Sequence, residues 1–374
     1  MVLKNGYVFT ESGIFQKTDL TFEETIQRIG SAGEEDGARS EDCTGLYVVP
    51  GLVDLHTHGA IGEDASDGSE EGLTKLSRYY AENGITSWCP TTMTVKEEEL
   101  AAAMKAIRNF RTSGARCVGI HLEGPFISYE KRGAQNAENL RLPDLETVKR
   151  LDRLSGGQIR LITAAPELVG GFEFIRQAAS DYTVSVGHTA AGYETAVSAF
   201  RAGASHVTHL FNGMNPMLSR EPGVLGAAYD SGAVVELICD GLHVHPSFVR
   251  MIYRLFEGRV AMISDSLRCT GMPDGEYMLG GQKIIVKERR AMLSDERTLA
   301  GSSINLMEAL RRVVSFGIPL EKALLSATAV PAGELRLQDQ IGVLKAGAFA
   351  DIAVLDRKLN LRDVYVGGRR LCLG

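Results

Sequence analysis

The sequence has no cysteines paired at metal-binding or redox spacing. Cys43, Cys89, Cys117, Cys239, Cys269 and Cys372 are scattered, with no CxxC among them. That pattern suits reduced, mostly buried thiols better than a disulfide framework or a structural zinc site. A basic excess is also missing: 40 Lys and Arg stand against 47 Asp and Glu, for a net charge of -7. This argues against a general nucleic-acid binder. No apolar run approaches membrane-spanning length, and the opening Met1-Val2-Leu3-Lys4-Asn5-Gly6 carries no apolar signal core. The expectation is a cytoplasmic chain that engages neither membrane nor nucleic acid. Any anionic ligand must then be held by a local basic site.

What is present is a rhythm. From Pro50 onward, short β-rich runs alternate with longer amphipathic segments, the pattern of successive βα units. The runs are Leu52–Leu55, Ile85–Cys89, Val118–Leu122, Arg160–Ala164, Thr183–Val186, His206–His209, Val234–Cys239 and Val260–Ile263. Eight such units predict a closed α/β barrel, the (β/α)8 TIM-type fold, which a chain of 374 residues accommodates. Ser69 to Asn83 reads as one intervening helix, with Ser69 as its N-cap and Gly84 as its stop. Ahead of the barrel, Tyr7-Val8-Phe9-Thr10 and Leu46-Tyr47-Val48-Val49 read as strands, and Gly30 to Ser40 as a hairpin tip or loose loop. Behind it, Glu276 to Val286 reads as a hairpin turning at Gly280-Gly281, followed by helices over Ser303–Phe316 and Leu320–Ala329. The tail from Gly342 to Asp356 returns to strand-and-turn composition. The simplest organisation is a small β-sandwich domain made from residues 1–49 and 338–374, beside a barrel over residues 50–337.

A barrel of this type builds its active site at the C-terminal ends of its strands. The first run leads into Val53-Asp54-Leu55-His56-Thr57-His58-Gly59, where a period of two puts His56 and His58 on one face. Two imidazoles so placed can grip a divalent cation. Taken alone, an HxH is as readily a half-buried strand whose histidines only hydrogen-bond. The other strand ends decide. Glu123 follows the third run, His188 the fifth, His209 the sixth, Asp240 with His243 and His245 the seventh, and Asp265 the eighth. Counting His121, every histidine but His206 falls at or near such an end. Singly, His121 and His206 read as packed strand residues and His245 as a solvent or packing histidine. Asp240 reads as a turn residue or as a carboxylate that orients a histidine. Glu63, Asp64 and Asp67 read as a solvated acidic loop.

These residues carry a resemblance. Pro50-Gly51-Leu52-Val53-Asp54-Leu55-His56-Thr57-His58, with the closing Gly-x-Leu-x-x-Gly-x-x-Ala-Asp from Gly342 to Asp351, resembles the amidohydrolase superfamily. More narrowly, His121-Leu122-Glu123-Gly124-Pro125-Phe126, Gly187-His188-Thr189, His209-Leu210-Phe211-Asn212-Gly213-Met214, Asp240-Gly241-Leu242-His243 and Ser264-Asp265-Ser266 are similar to the N-acetylglucosamine-6-phosphate deacetylase family. So is Leu299-Ala300-Gly301-Ser302. The likeness covers nearly the whole chain. It implies that Glu123, His188 and His209 hold the metal common to the family, and that His56 and His58 help hold a second. Asp265 matches the catalytic aspartate and joins the metal ligands. Asn212, the Gly213 backbone, Arg220 and His243 match positions that hold the sugar phosphate; Ala134 and the segment Leu299, Ala300, Gly301 match further substrate contacts. Gln135 stands where some members carry a histidine near the substrate carbonyl, so the amide is polarised either by a side-chain cation or by metal and an amide donor. Hydantoinase-like relatives bridge two metals with a carboxylated lysine, whereas the acidic ligand here is Glu123.

Histidine and carboxylate ligands without thiolates suit Zn2+ or Fe2+, with Mn2+ or Co2+ as substitutes, one or two per chain. Such an ion would act as a Lewis acid that lowers the pKa of water to about 7. Asp265 would move a proton from the attacking water to the departing amine. The resemblance thus implies hydrolysis of N-acetyl-D-glucosamine 6-phosphate to D-glucosamine 6-phosphate and acetate, in amino-sugar catabolism, by an expected homodimer. Two other readings stand beside it. A cyclic-amide hydrolase of dihydroorotase or hydantoinase type would have no phosphate for Arg220 to hold. An inactive scaffold barrel would be expected to show gaps in the set His56, His58, Glu123, His188, His209, Asp265, and there are none.

Overall fold

Strands of a parallel barrel are covered on both faces, so they read as unbroken apolar runs rather than alternating ones. In the computed structural model, which describes residues 1–31, 39–112, 114–295 and 298–372, Ile85–Thr92 and Val260–Ile263 are buried at every position. The barrel strands are Leu52–Thr57, Ile85–Thr92, Ile120–Glu123, Ile159–Ala164, Thr183–Val186, His206–Val207, Val234–Ile238 and Val260–Ile263. Their ladders are all parallel and join each strand to the next, from the first through to the eighth. The ring closes where the Asp265 N–H, just beyond strand eight, donates to the His56 carbonyl at 2.9 Å. All eight expected βα units are therefore present.

Several strand ends differ from the sequence reading by one to three residues, and those of strands three and six matter for the site. The third strand runs to Glu123 rather than stopping at Leu122, while Arg116–Cys117 is a separate short strand paired with strand two. The sixth strand is only His206–Val207. It stops early because the backbone N–H of His209 bonds the Glu236 carboxylate at 3.0 Å instead of a neighbouring strand.

The flanking elements follow their caps. Ser69 Oγ accepts from the Gly72 N–H and starts the helix Glu70–Glu82, which gives way at Asn83 and Gly84. The helix expected from Ser303 begins only at Leu306, because the Asn305 side chain accepts from the Glu308 N–H. The helix expected over Leu320–Ala329 breaks at Thr328 into Leu320–Ala327 and Ala329–Glu334. After strand eight, Gly275–Leu279 and Gln282–Lys287 form the expected hairpin, with Leu279 opposite Gln282 across Gly280-Gly281. Both glycines have positive φ, as a tight two-residue hairpin turn demands. A third strand, Arg290–Leu293, extends it.

The two ends of the chain meet in one eight-stranded sheet. Its order is Arg369–Arg370, Leu361–Val366, Ile352–Leu355, Tyr47–Pro50, Val2–Phe9, Phe15–Phe22, Ile26–Ile29, with Ser40–Asp42 also on Val2–Phe9. The sheet curls over itself like a sandwich. Phe22 and Tyr365 lie on strands far apart in that order, yet their ring centroids are 5.2 Å apart. Of the loop expected over Gly30 to Ser40, residues 32–38 lie outside the described residues.

Candidate metal centre

The strand ends hold their side chains by an unusual backbone. His188, His209 and Asp265 have φ of +45°, +29° and +48°. A non-glycine residue there costs of order 1–3 kcal/mol, and the three face one cavity. At such a residue the alternation of the strand ends, and the side chain turns toward the barrel mouth instead of into the wall.

Two sets of ligand atoms result. In one, His209 Nε2 and His188 Nε2 lie 3.0 and 3.2 Å from Glu123 Oε1 and 3.1 Å from each other. In the other, Asp265 Oδ1 lies 3.5 Å from His56 Nε2 and 3.3 Å from His58 Nε2. Within each set the ligand atoms all fall within 4.8 Å of one another. Glu123 joins the sets, with Oε1 3.5 Å from His56 Nε2 and Oε2 3.3 Å from His58 Nε2. All six side chains are buried.

Whether this arrangement suits a divalent ion depends on which nitrogens carry protons. His58 Nδ1 lies 3.1 Å from the Thr91 carbonyl, His188 Nδ1 2.8 Å from that of Lys131, and His209 Nδ1 3.1 Å from that of Asn212. A carbonyl has no proton to give, so each Nδ1 must donate, and each Nε2 turns its lone pair toward the carboxylates. His56 Nδ1 rests on Glu236 Oε2 at 2.8 Å, and its Nε2 has no hydrogen-bond partner among the described residues. Four imidazole lone pairs and two carboxylates converging in a buried space are a fitting donor set for divalent metal.

Electrostatics point the same way. Burial disfavours charge on Glu123, but His56, His188, His209 and His58 hold its carboxyl well below the usual range. Asp265 is likewise lowered, burial being outweighed by His58 and His56. Burial also opposes charge on His56, yet Glu236, Glu123 and Asp265 lift its pKa to about 9. Among the described residues no Lys or Arg side chain lines the cavity. The counter-charge must therefore come from protons on the histidines or from bound cations, and a cation displaces those protons.

The cavity, about 200 Å³, is lined by His58, Glu123, His188, His209 and Asp265 together with Ala134, Gln135, Asn212, Gly213, His243, Leu299, Ala300 and Gly301. Every sequence-predicted substrate contact but Arg220 is thus brought to it. Arg220 is exposed at a turn where Leu218 and Glu221 exchange backbone hydrogen bonds at 2.9 and 3.1 Å. Gln135 is buried; its Oε1 accepts from the Thr94 N–H at 2.7 Å and its Nε2 donates to Glu123 Oε2 at 2.6 Å. Two glycines are required by close approach. A Cβ on Gly213 would meet His188 Nδ1 at 2.9 Å, and one on Gly301 would meet the Asp265 carbonyl at 2.6 Å.

Asp240 proves to be both a turn residue and an orienting one. Its Oδ1 accepts from the Leu242 and His243 N–H groups, and its Oδ2 sits 2.7 Å from His243 Nδ1. His243 Nε2 lies 2.7 Å from the Ala300 carbonyl. His245 caps the helix Pro246–Leu255 by accepting from the Ser247 N–H. His121 and His206 are buried inside the barrel, bonded to Thr163 Oγ1 at 2.7 Å and Ser185 Oγ at 3.0 Å. The acidic loop is a correction: Asp64 is buried and caps Ser66, Glu63 pairs with Lys75 at 3.0 Å, and Asp67 pairs with Arg268 at 2.8 Å. The loop folds back as the small hairpin Gly59–Ala60 with Glu63–Asp64, which draws those carboxylates onto the protein.

Sequence reasoning missed Glu236 and the apolar wall of Met93, Ile238, Leu267 and Leu279. The signal for Glu236 was available: a lone charge in Val234-Val235-Glu236-Leu237-Ile238, an otherwise apolar buried strand.

The chain is similar to several known proteins. Residues 47–371 match the amidohydrolase family. The N-acetylglucosamine-6-phosphate deacetylase of Bacillus subtilis is 35% identical over 367 residues, covering 95% of this chain and 89% of that protein. That of Vibrio furnissii is 34% identical over 343 residues, covering 89% and 86%. Among solved structures, an aspartate-to-alanine variant of N-acetyl-D-glucosamine-6-phosphate deacetylase from Mycobacterium smegmatis, in complex with N-acetyl-D-glucosamine 6-phosphate, superposes with a TM-score of 0.92. It is 31% identical and covers 99% of this chain and 98% of that one.

Proposed function

The chain belongs to the amidohydrolase family, and on that premise we propose that it removes the acetyl group from N-acetyl-D-glucosamine 6-phosphate. The products are D-glucosamine 6-phosphate and acetate, and the reaction belongs to amino-sugar catabolism. The observation that carries this reading is the pair of ligand sets joined by Glu123, with Asp265 facing the same cavity, in a chain whose relatives act on that substrate.

Glu123, His188 and His209 would hold one divalent ion, and His56, His58 and Asp265 a second. We assign Zn2+ or Fe2+, on the strength of nitrogen and oxygen donors without thiolate. When bound, such an ion supplies Lewis acidity and brings the pKa of water to about 7. Asp265 accepts a proton from the attacking water and passes it to the departing amine nitrogen as the carbon–nitrogen bond breaks and a carbon–oxygen bond forms. Gln135, its carbonyl fixed by Thr94, serves as the amide donor in place of a cation. It steadies Glu123 with one N–H and keeps the other for the substrate carbonyl. The Met93, Ile238, Leu267 and Leu279 wall excludes water from the acetyl end.

The phosphate end falls to Asn212, the Gly213 N–H and His243, with Arg220 on the same loop as the charged bidentate donor. We further propose a homodimer in the cytoplasm. Phe248, Met251 and Leu255 are exposed along one face of the helix Pro246–Leu255 and suit a second copy, and six free thiols suit a reducing compartment. The division at residues 1–49 with 338–374 and 50–337 is retained as the domain assignment. The test is acetate release from N-acetyl hexosamines of gluco, galacto and manno configuration, with and without the 6-phosphate. Fastest release from the phosphorylated gluco compound supports the assignment; equal rates with and without phosphate refute it.

A further inference from the structure

Glu236 is fully buried on strand seven, where a carboxylate is tolerated only if its lone pairs are used. A single oxygen, Oε2, takes both of its close contacts. One is the Nδ1–H of His56 at 2.8 Å, and the other is the backbone N–H of His209 at 3.0 Å. His56 belongs to one ligand set and His209 to the other. The remaining oxygen, Oε1, is 3.9 Å from His206 Nδ1 and has no hydrogen-bond partner among the described residues. The carboxylate is thus spent on the metal centre.

His56 also differs from the other imidazoles. His58, His188 and His209 rest their Nδ1 on backbone carbonyls, which no substitution at the acceptor can remove. His56 alone in this set rests on a side chain, and a charged one. We propose that Glu236 is a positioning residue that decides whether the His56–His58–Asp265 set holds its ion. By accepting the Nδ1 proton it fixes the His56 tautomer with the lone pair on Nε2, facing Asp265 and Glu123, and it increases the donor strength of that nitrogen. The same oxygen also accepts the His209 N–H, a backbone contact that the amide oxygen of Glu236→Gln can still take. This rests on the two-ion reading above.

The experiment is metal content per chain for the purified holoenzyme after dialysis against graded chelator. It compares the native chain, Glu236→Gln, His56→Ala and the double variant. Glu236→Gln keeps the shape and an acceptor oxygen but loses the charge. One ion should be retained about 10- to 100-fold more weakly, with the other held nearly as in the native chain. In the His56→Ala background the same substitution should change nothing further, since Glu236 acts through that ring. Glu236→Asp, which keeps the charge but withdraws the oxygen from His56 and from the His209 N–H alike, should weaken the same ion at least as much and serves if Glu236→Gln does not fold. Loss of one ion in His56→Ala with native retention in both Glu236 variants overturns this inference alone. Two ions in His56→Ala overturn the two-ion reading and the inference with it. A third ion in the native chain would make Glu236 a ligand, with His56 and His121, and overturn the positioning role.

Discussion

Gln135→Leu isolates a buried amide that ties the Thr94 backbone to Glu123. The side chain holds two hydrogen bonds in a buried place. Leucine has nearly the same volume, so the cavity it leaves is small and the loss is polar. The Thr94 N–H is left without its acceptor, which costs about 1–3 kcal/mol, and Glu123 loses a donor to a charged oxygen, worth about 1.5–3 kcal/mol. Together these give a destabilisation of roughly 3–6 kcal/mol. For 374 residues, an unfolding entropy of about 2.1 cal/mol/K per residue makes each kcal/mol worth a little over 1 °C. The melting temperature should therefore fall by roughly 4–8 °C in calorimetry. Turnover should fall by more than stability implies, because the freed Glu123 carboxylate serves both ligand sets; metal retention should weaken alongside. Gln135→His, which restores a donor, should recover more turnover than Gln135→Leu. A Gln135→Leu chain with native melting temperature and native metal content would refute the reasoning, since both bonds would then be worth nothing.

Asp265→Asn keeps shape but cannot take a proton, so turnover should drop roughly 10²-fold or more while the ion at Glu123, His188 and His209 is retained; native turnover would assign the proton to another group. Arg220→Ala should lower kcat/KM for the phosphorylated sugar by roughly ten- to a hundredfold, the loss of one charged hydrogen bond, and leave the unphosphorylated sugar nearly unchanged. Equal losses on both would make Arg220 a loop residue. Burial lowers the pKa of His243, but Asp240 outweighs it and holds the imidazole above 6.5. The cation, with its contribution to the pair and to phosphate binding, is thus fully present below 6.5 and lost as pH rises through the raised value. Asp240→Asn should shift the alkaline fall in kcat/KM to lower pH; an unmoved profile would detach His243 from the phosphate.

The candidate ligands were legible because barrel strand ends are countable and histidine is rare: alternation put His56 and His58 on one face, strand-end position gave Glu123, His188, His209 and Asp265, and the resemblance implied their roles. What stayed hidden depends on contacts between distant segments. Glu236 lies 180 residues from the ring it anchors, and a glutamate inside a strand declares only that it needs a partner, not which. The early end of strand six follows from that same carboxylate taking the His209 N–H. Asp64 read as solvated because its partner Arg268, 3.6 Å away, lies beyond the eighth strand. The third strand Arg290–Leu293 is half-exposed and has no clean alternation, so local pattern does not mark it. Arg220 is the reverse case: only the resemblance implied its place at the phosphate, and it lies on an exposed turn outside the cavity lining.

The central claim is that Glu123 and its histidines hold divalent metal for hydrolysis of a phosphorylated N-acetyl sugar. It is tested most directly by stripping the purified chain with chelator and following acetate release from N-acetyl-D-glucosamine 6-phosphate as metal is returned. The account predicts loss of release on stripping and recovery with Zn2+ or Fe2+, saturating at two ions per chain. Undiminished release from chain verified to be metal-free would contradict it.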